Sequence, residues 1–423
     1  MLTERLELLP GVWLNLFHTD RFKTGCFSFN LLCPLTEEDA APNALLPSIL
    51  LRGCRSYPDM QAISFRLDEL FGATVGTLVR KKGEVQTVGL YADFLEDRYA
   101  EGIPVFSQMM GFIRELLFEP CGAPEGFMEE FVESEILNLS NTIDSRVNDK
   151  RSWAINRLLH NMCRGERYEV PRLGERNTLS GLNGKNLLER WQHLLSTSPI
   201  ELFYLGQQSK EDVVAAMEHL LKDLPPRKSV QMPQTAVIKP TREVQYVQEA
   251  LDVTQGKMTI GLRTDITVTD PRYPAMMLMN AVFGGGMTSK LFLQIREEQS
   301  LCYYASSSMD KFKGIMLVDC GIEFSNYDVA LEGILHQFEL CKQGEITTEE
   351  LESARAYLIS GLRTGSDSPG QLDDYAIGQS LAGLTGTMDD LAEQLKAVTP
   401  DQVAAAANTL TLDTVYFLNG VNQ

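Results

Sequence analysis

The side chains are best searched first for metal chelation, nucleotide binding and hydrogen-bond donation. The five histidines are His18, His160, His193, His219 and His336. No two lie within four residues of each other, so there is no i, i+3 or i, i+4 chelating pair, and none stands beside a cysteine pair. They read as helix-surface or core histidines, with assembly over long range left open. The eight cysteines, at 26, 33, 54, 121, 163, 302, 320 and 341, form no C-x-x-C pair. Several sit in apolar runs, where cysteine acts as a small core residue. GGGMTSK (284–290) superficially resembles a phosphate loop, but its lysine follows the Thr-Ser pair instead of preceding it; SGLNGKN (180–186) fails on spacing and lacks the hydroxyl residue after Lys185. What remains is a guanidinium and a phenol, Arg296 and Tyr303, in GGGMTSKLFLQIREEQSLCYYASSS (284–308). Arg296 falls on a helix opened near Thr288 and Ser289 after the Gly284-Gly285-Gly286 turn. Tyr303 begins the apolar, aromatic strand-like run after it. Their plain reading is that Arg296 pairs with a neighbouring glutamate and Tyr303 fills a core.

The chain has 423 residues, 44 % apolar and 22 % charged, enough for two to three domains with a full-sized core. The net charge of −19 argues against nucleic acid, whose phosphate backbone requires a basic face. It could favour basic peptides or partners, or simply keep the protein soluble. The opening MLTERLELLPGVWL shows no basic n-region followed by an apolar one, so no signal peptide is expected. No run approaches ~18 apolar residues, so no membrane span is expected. With scattered, unpaired cysteines, a reducing, cytoplasmic compartment is the simplest expectation.

The elements point to an internal duplication. LPPRKSVQMPQTAVIKPT (224–241), with Pro225, Pro226, Pro233 and Pro240, reads as a linker between residues 1–223 and 242–423. TGCFSFNLL (24–32) resembles QGKMTIGLR (255–263), NALLPSILLRG (43–53) resembles PAMMLMNAVFG (274–284), and RKKGEVQTVGLYA (80–92) resembles DKFKGIMLVDCGI (310–322). Gly25 and Gly256, Gly53 and Gly284, and Gly83 and Gly314 keep one offset of 231 residues. The halves also end alike, IELFYLG (200–206) against TVYFLNG (414–420). Segments 12–18 and 24–33 read as strands. Segment 99–117 reads as a helix through Ile103, Phe106, Met110, Ile113 and Leu117. Thr347 with Glu350, and Thr399 with Pro400 and Gln402, form helix-start signatures, and Ser209 with Asp212 a weaker one. Strands followed by helices, twice over, predict an α+β protein of two homologous domains, each an antiparallel-rich sheet covered by helices on one side.

At this point the chain resembles the insulinase / pitrilysin / mitochondrial-processing-peptidase family of inverted-motif zinc peptidases, over essentially its whole length. FGGGMTSKLFLQIREEQSLCYYA (283–305), AVTPDQVAAAANTLTLDTVYFLNG (397–420) and the duplication carry the resemblance. It implies a half-clamshell of two domains, two such halves enclosing a chamber for peptides. It also implies a zinc site built from an H-x-x-E-H helix and a later glutamate. Zinc and the glutamate base would activate water, while an arginine and a tyrosine from a second-half domain hydrogen-bond the substrate near the scissile carbonyl. Arg296 and Tyr303 match that pair, with the family's spacing of seven. The metal motif does not match. Counting back from Arg52-Gly53-Cys54, the five positions fall on Ala44, Leu45, Leu46, Pro47 and Ser48. The third-ligand position falls on Thr142, with Glu135 surviving upstream. Pro47 replaces the base, and the helix is expected to start or kink there.

The resemblance therefore implies a zinc-less subunit that supplies Arg296 and Tyr303 in trans, as in two-chain bacterial members, with zinc only in a partner. The expected partners are a zinc-bearing homologue, or a second copy of this chain, and a peptide or unfolded protein. GATVGTLV (72–79), ended by Arg80-Lys81-Lys82, is the expected substrate-gripping strand, with Thr74, Val75, Gly76 and Thr77 on its edge; an ordinary hairpin strand is the alternative. Two other functions compete. One is a stand-alone homodimeric pseudoenzyme that binds peptides or serves as a scaffold. The other, an active zinc peptidase, needs ligands the sequence does not supply.

Overall fold

The computed structural model of the chain describes residues 2–228, 231–239 and 243–421. Strands and hairpins come first in each half. β1 (Leu2–Leu9), β2 (Val12–His18), β3 (Thr24–Pro34), β4 (Thr74–Lys82), β5 (Val85–Leu95) and β6 (Ile200–Gly206) form a six-stranded sheet in the order β1-β2-β6-β3-β5-β4. β7 (Gln245–Leu251), β8 (Gly256–Arg263), β9 (Cys302–Asp310), β10 (Ile315–Ile322) and β11 (Thr411–Gly420) form a second, in the order β7-β11-β8-β10-β9. β2 to β6 and β7 to β11 repeat one topology. In each, a single parallel pair, β2–β6 or β7–β11, joins an otherwise antiparallel sheet. The duplicated glycines Gly83 and Gly314 turn the equivalent hairpins at φ 59° and 69°, a conformation glycine adopts without Cβ strain.

The helices of the first half are α1 (Glu37–Leu50), α2 (Met60–Glu69), α3 (Val105–Phe118), α4 (Glu129–Asp144), α5 (Lys150–Met162), α6 (Gly184–Thr197) and α7 (Lys210–Leu220). Those of the second are α8 (Tyr273–Asn280), α9 (Tyr327–Gln343), α10 (Thr348–Gly365), α11 (Pro369–Ala382), α12 (Met388–Ala397) and α13 (Pro400–Ala407). Ala281–Gly285 and Leu291–Glu298 wind as wider, π-helical turns. The reciprocal caps at Thr347 and Thr399 form, and the Ser209 hydroxyl accepts from the Asp212 N–H. α3 starts later than its apolar spacing predicts. Glu101 and Gly102 take positive φ, Pro104 is the cap, and Ile103 lies outside the helix, 41 % exposed.

The compact units are not the two halves of the sequence. One comprises Met1–Asp144, Val170–Gln234 and Pro369–Leu381; the other comprises Ser145–Glu169, Thr235–Ser368 and Ala382–Gln423. The linker region contributes to both, and its described part holds no helix or strand; Pro240 and Thr241 lie outside the described residues. The equivalent helices α5 and α11 have thus changed places.

This exchange also corrects the expectation of helices on one side of each sheet. The main core of the first unit packs Phe27, Phe29, Leu31, Leu90 and Tyr204 against α1, α3 and α6. The opposite face of that sheet receives α11: Ile377 packs on Leu32 and Val85, and Ser380 bonds Asn15. In the second unit, Met258, Ile260, Val318 and Phe417 face α8, α9 and α13, while Ala154 and Leu158 of α5 pack on Tyr416 and Leu418 behind the sheet. Charge matches each helix to its sheet. Basic α5 pairs Arg151 with Asp319 at 2.5 Å and Arg157 with Glu249. Acidic α11 pairs Asp373 with Arg80 at 2.6 Å and Asp374 with Lys82 at 2.7 Å.

Candidate functional site

The degenerate metal positions sit on two packed helices, α1 and α4. α1 begins at Thr36, whose hydroxyl accepts the Asp39 N–H at 3.2 Å, and Glu37, Glu38 and Asp39 complement the helix dipole in its first turn. The helix does not start at Pro47: it runs through Pro42 and Pro47 to Leu50. An interior proline costs roughly 3 kcal/mol. Ten of the fourteen residues of α1 are buried, which supplies the tertiary packing that overrides this cost.

Ala44, Ser48 and Thr142 come together in one cavity. With Leu45, Thr77, Arg80, Glu135, Asn138 and Arg172 among its other walls, they line a cavity of about 470 Å³. Pro47 is buried and does not line it. The Glu135 carboxylate is committed elsewhere: Arg52 Nε donates to it at 2.6 Å and Asn138 Nδ2 at 3.2 Å. A second guanidinium nitrogen of Arg52 donates to Ser134 at 2.5 Å. A methyl group, two hydroxyls and a carboxylate already paired with arginine are not a zinc donor set. Among the described residues no group of three His, Cys, Asp or Glu could hold a metal. The site does not fit zinc, and no hydrolytic step can be routed through it.

β4 bounds the cavity and is the outer strand of its sheet, so one side of its backbone faces away from β5. The Val79 carbonyl accepts Arg172 Nη1 at 3.1 Å on that side. Backbone direction alternates along a strand, so Val75 and Thr77 also present their N–H and C=O outward, while Thr74 and Gly76 face β5. At the far end, Lys81 Nζ donates to the Val170 carbonyl at 3.0 Å. The sequence anticipated the strand; of the four residues expected on its edge, Val75 and Thr77 turn their backbone outward and Thr74 and Gly76 do not, and the sequence carried no sign that Arg172, in a loop, closes the edge at Val79.

Arg296 and Tyr303 belong to the second unit. Arg296 lies on the π-helical stretch, preceded by Ser289, whose hydroxyl accepts the Phe292 N–H at 3.4 Å. Its side chain is 40 % exposed, 3.6 Å from the Glu297 carboxylate, with the guanidinium 4.6 Å over the Phe292 ring. Tyr303 fills no core: it is 60 % exposed near the start of β9, a strand that packs on the Arg296 helix. Its hydroxyl donates to Glu323 at 2.7 Å, a bond that raises the phenol's pKa and keeps the proton on it. Both side chains are therefore hydrogen-bond donors at the surface.

A duplicated α+β fold, with a cavity lined by Ala44, Ser48 and Thr142 that has no zinc donor set among the described residues, defines a metallopeptidase-like protein. Comparisons with known proteins agree. A family model described as "Peptidase M16 inactive domain" matches residues 181–358. The Bacillus subtilis (strain 168) protein named "Probable inactive metalloprotease YmfF" is 30% identical over 411 residues, 97% of this chain and 96% of that protein. The chain belongs to the M16 (insulinase) peptidase family, as a non-catalytic member. Another protein of that bacterium, "Uncharacterized zinc protease YmxG", is 22% identical over 243 residues, covering 57% of this chain and 58% of its own length. A crystal structure described as a conserved protein from Enterococcus faecalis V583 matches with a TM-score of 0.90 at 28% identity, covering 100% of this chain and 99% of that one. The M16 inactive-domain structure from Pseudomonas fluorescens has a TM-score of 0.79 at 16% identity, covering 100% and 99%, and shows the shared fold. Among the described residues no helix is long and apolar enough to cross a membrane.

Proposed function

We propose that this chain is the zinc-less subunit of a two-chain M16 peptidase, holding peptide along β4 and supplying Arg296 and Tyr303 in trans to a zinc-bearing partner. The reading is supported by the exposure of both donors in the second unit, together with a cavity in the first whose lining does not fit zinc among the described residues. In such a pair the partner would hold zinc and the general base. This chain's guanidinium and phenol would hydrogen-bond the oxyanion that develops on the scissile carbonyl. The bacterium with the inactive relative also has one named as a zinc protease, so chains of both kinds occur in one cell. The cytoplasm is the proposed compartment, since the eight cysteines are all free and seven of them are buried.

The test is reconstitution with a chain of the source organism that carries H-x-x-E-H. Arg296→Ala and Tyr303→Phe are each expected to lower peptidase turnover by about 10²-fold, the cost of removing an oxyanion donor. Unchanged turnover would rule out the catalytic role. A second reading, a homodimeric peptide-binding scaffold, is favoured by the local ties of Arg296 to Glu297 and of Tyr303 to Glu323. It predicts that a pull-down recovers no chain bearing the zinc motif.

A further inference from the structure

The mismatch between the cavity and zinc raises the question of what the cavity accepts instead. Its walls include two guanidinium groups, Arg80 and Arg172, and the hydroxyl-bearing residues Ser48, Thr77 and Thr142. Its one acidic wall residue, Glu135, is neutralised by Arg52. The charge of Arg80 is taken up by Asp373 at 2.6 Å and Asp374 at 3.7 Å, as that of Glu135 is by Arg52. Arg172 is exposed and its bond goes to a backbone carbonyl, so among the described residues its charge has no carboxylate partner. In a chain with net charge −19, Arg172 therefore gives this hydroxyl-lined recess its cationic character.

The recess lies where the free edge of β4 ends. A peptide strand added to β4 can pair with the outward backbone of Val75 and Thr77. At Val79 it meets a carbonyl already taken by Arg172, so pairing stops there. Thr77, Leu78, Val79 and Arg80 are themselves walls of the cavity, so the end of the added strand is delivered to the two arginines. Guanidinium groups bind carboxylates with charge-assisted, directional hydrogen bonds.

We propose that the cavity left by the lost metal triad is a carboxylate-binding subsite, which receives an anionic group of a peptide at the point where its pairing with β4 is stopped by Arg172. The carboxylate is either the peptide's own C-terminus or an acidic side chain near the stop. This subsite rests on the reading that β4 holds peptide, and it gives that reading a substrate preference. An active member of the family would cut a chain that continues past this point; this chain would grip a carboxylate there.

The test uses the full chain and a fluorescein-labelled, valine- and threonine-rich octapeptide in three forms: free acid, C-terminal amide, and amide with one internal glutamate. Fluorescence anisotropy is expected to show the free acid bound about tenfold more tightly than the plain amide, the worth of one charge-assisted hydrogen bond. Recovery of that affinity by the internal glutamate would identify a side chain as the carboxylate source; failure to recover it would identify the C-terminus. Arg172→Gln is expected to abolish the acid's advantage while leaving the amide's affinity equal or higher, because it vacates the Val79 carbonyl. Thr77→Glu, at an exposed wall position, is expected to invert the preference by repulsion. Acid and amide binding alike, in wild type and in both variants, would overturn the carboxylate subsite while leaving peptide binding intact. Failure of every peptide to bind would overturn both the subsite and the peptide-holding reading beneath it.

Discussion

Arg296 and Tyr303 are surface residues with local partners, and that fixes what their removal does to the fold. Neither is part of a core, so Arg296→Ala and Tyr303→Phe should each leave unfolding free energy within about 0.5 kcal/mol of wild type by urea titration. A larger loss would assign them a structural role. The phenol of Tyr303 carries a second signature. Its bond to Glu323, with that carboxylate's charge, raises its pKa above the ordinary 10. A raised phenol pKa keeps the neutral donor present as pH climbs, so a donor function would persist above the ordinary tyrosine range. Ultraviolet difference titration of wild type against Tyr303→Phe should show one tyrosine ionising late, and Glu323→Gln should return it to the ordinary range. Arg296 and Tyr303 stood out in the sequence because helix and strand are adjacent in the chain. Arg172 did not, because its target, the Val79 carbonyl, lies far away in sequence.

At the scale of elements, local signals were read correctly where the chemistry was local. Thr347, Thr399 and Ser209 cap helices within four residues of themselves, so their patterns suffice. α1 runs on past Pro47, where local preference alone could have started it, because burial against the rest of the unit supplies its stability. The α5–sheet contact shows the same dependence on distant partners. Arg151→Asp should destabilise the second unit by about 1–3 kcal/mol, leaving Asp319, 7 % exposed in its side chain, without its cation. Adding Asp319→Arg should recover most of that loss in a double-mutant cycle read by thermal unfolding. Acid should loosen the same helix. Burial alone would raise the Glu249 carboxyl, but hydrogen bonds from Arg157 and Tyr416 bring it below the ordinary value. A depressed carboxyl stabilises the fold above its unfolded pKa, and that stabilisation is lost as pH falls through the folded one. Wild type should therefore lose this contribution below about pH 4, and Glu249→Gln should flatten that part of the stability–pH curve.

The whole molecule is a duplication whose two halves exchange a helix. A chain cut in the 224–241 segment yields residues 1–223, which lack α11, and 242–423, which lack α5. The first fragment would leave Leu32, Val85, Ser28 and Asn15 without their cover, and the second would uncover Tyr416 and Leu418. Each fragment alone should be aggregated or lack dispersed amide resonances, and co-expression should restore a soluble complex seen by size-exclusion chromatography. Independent folding of either fragment would show that the exchanged helix is dispensable. The sequence by itself determined the α+β class, the duplication and which residue types stand at positions 44, 47, 48 and 142. Hairpin glycines with positive φ, capping residues and the absence of ligating side chains are properties of local backbone and residue chemistry. The tertiary structure decided which sheet each exchanged helix covers, where the edge of β4 is closed and which side chains wall the former metal cavity. Those choices depend on burial and charge complementarity between residues far apart in the chain, from 92 positions for Arg157 and Glu249 to 293 for Arg80 and Asp373, and a local pattern cannot name the distant partner it will meet.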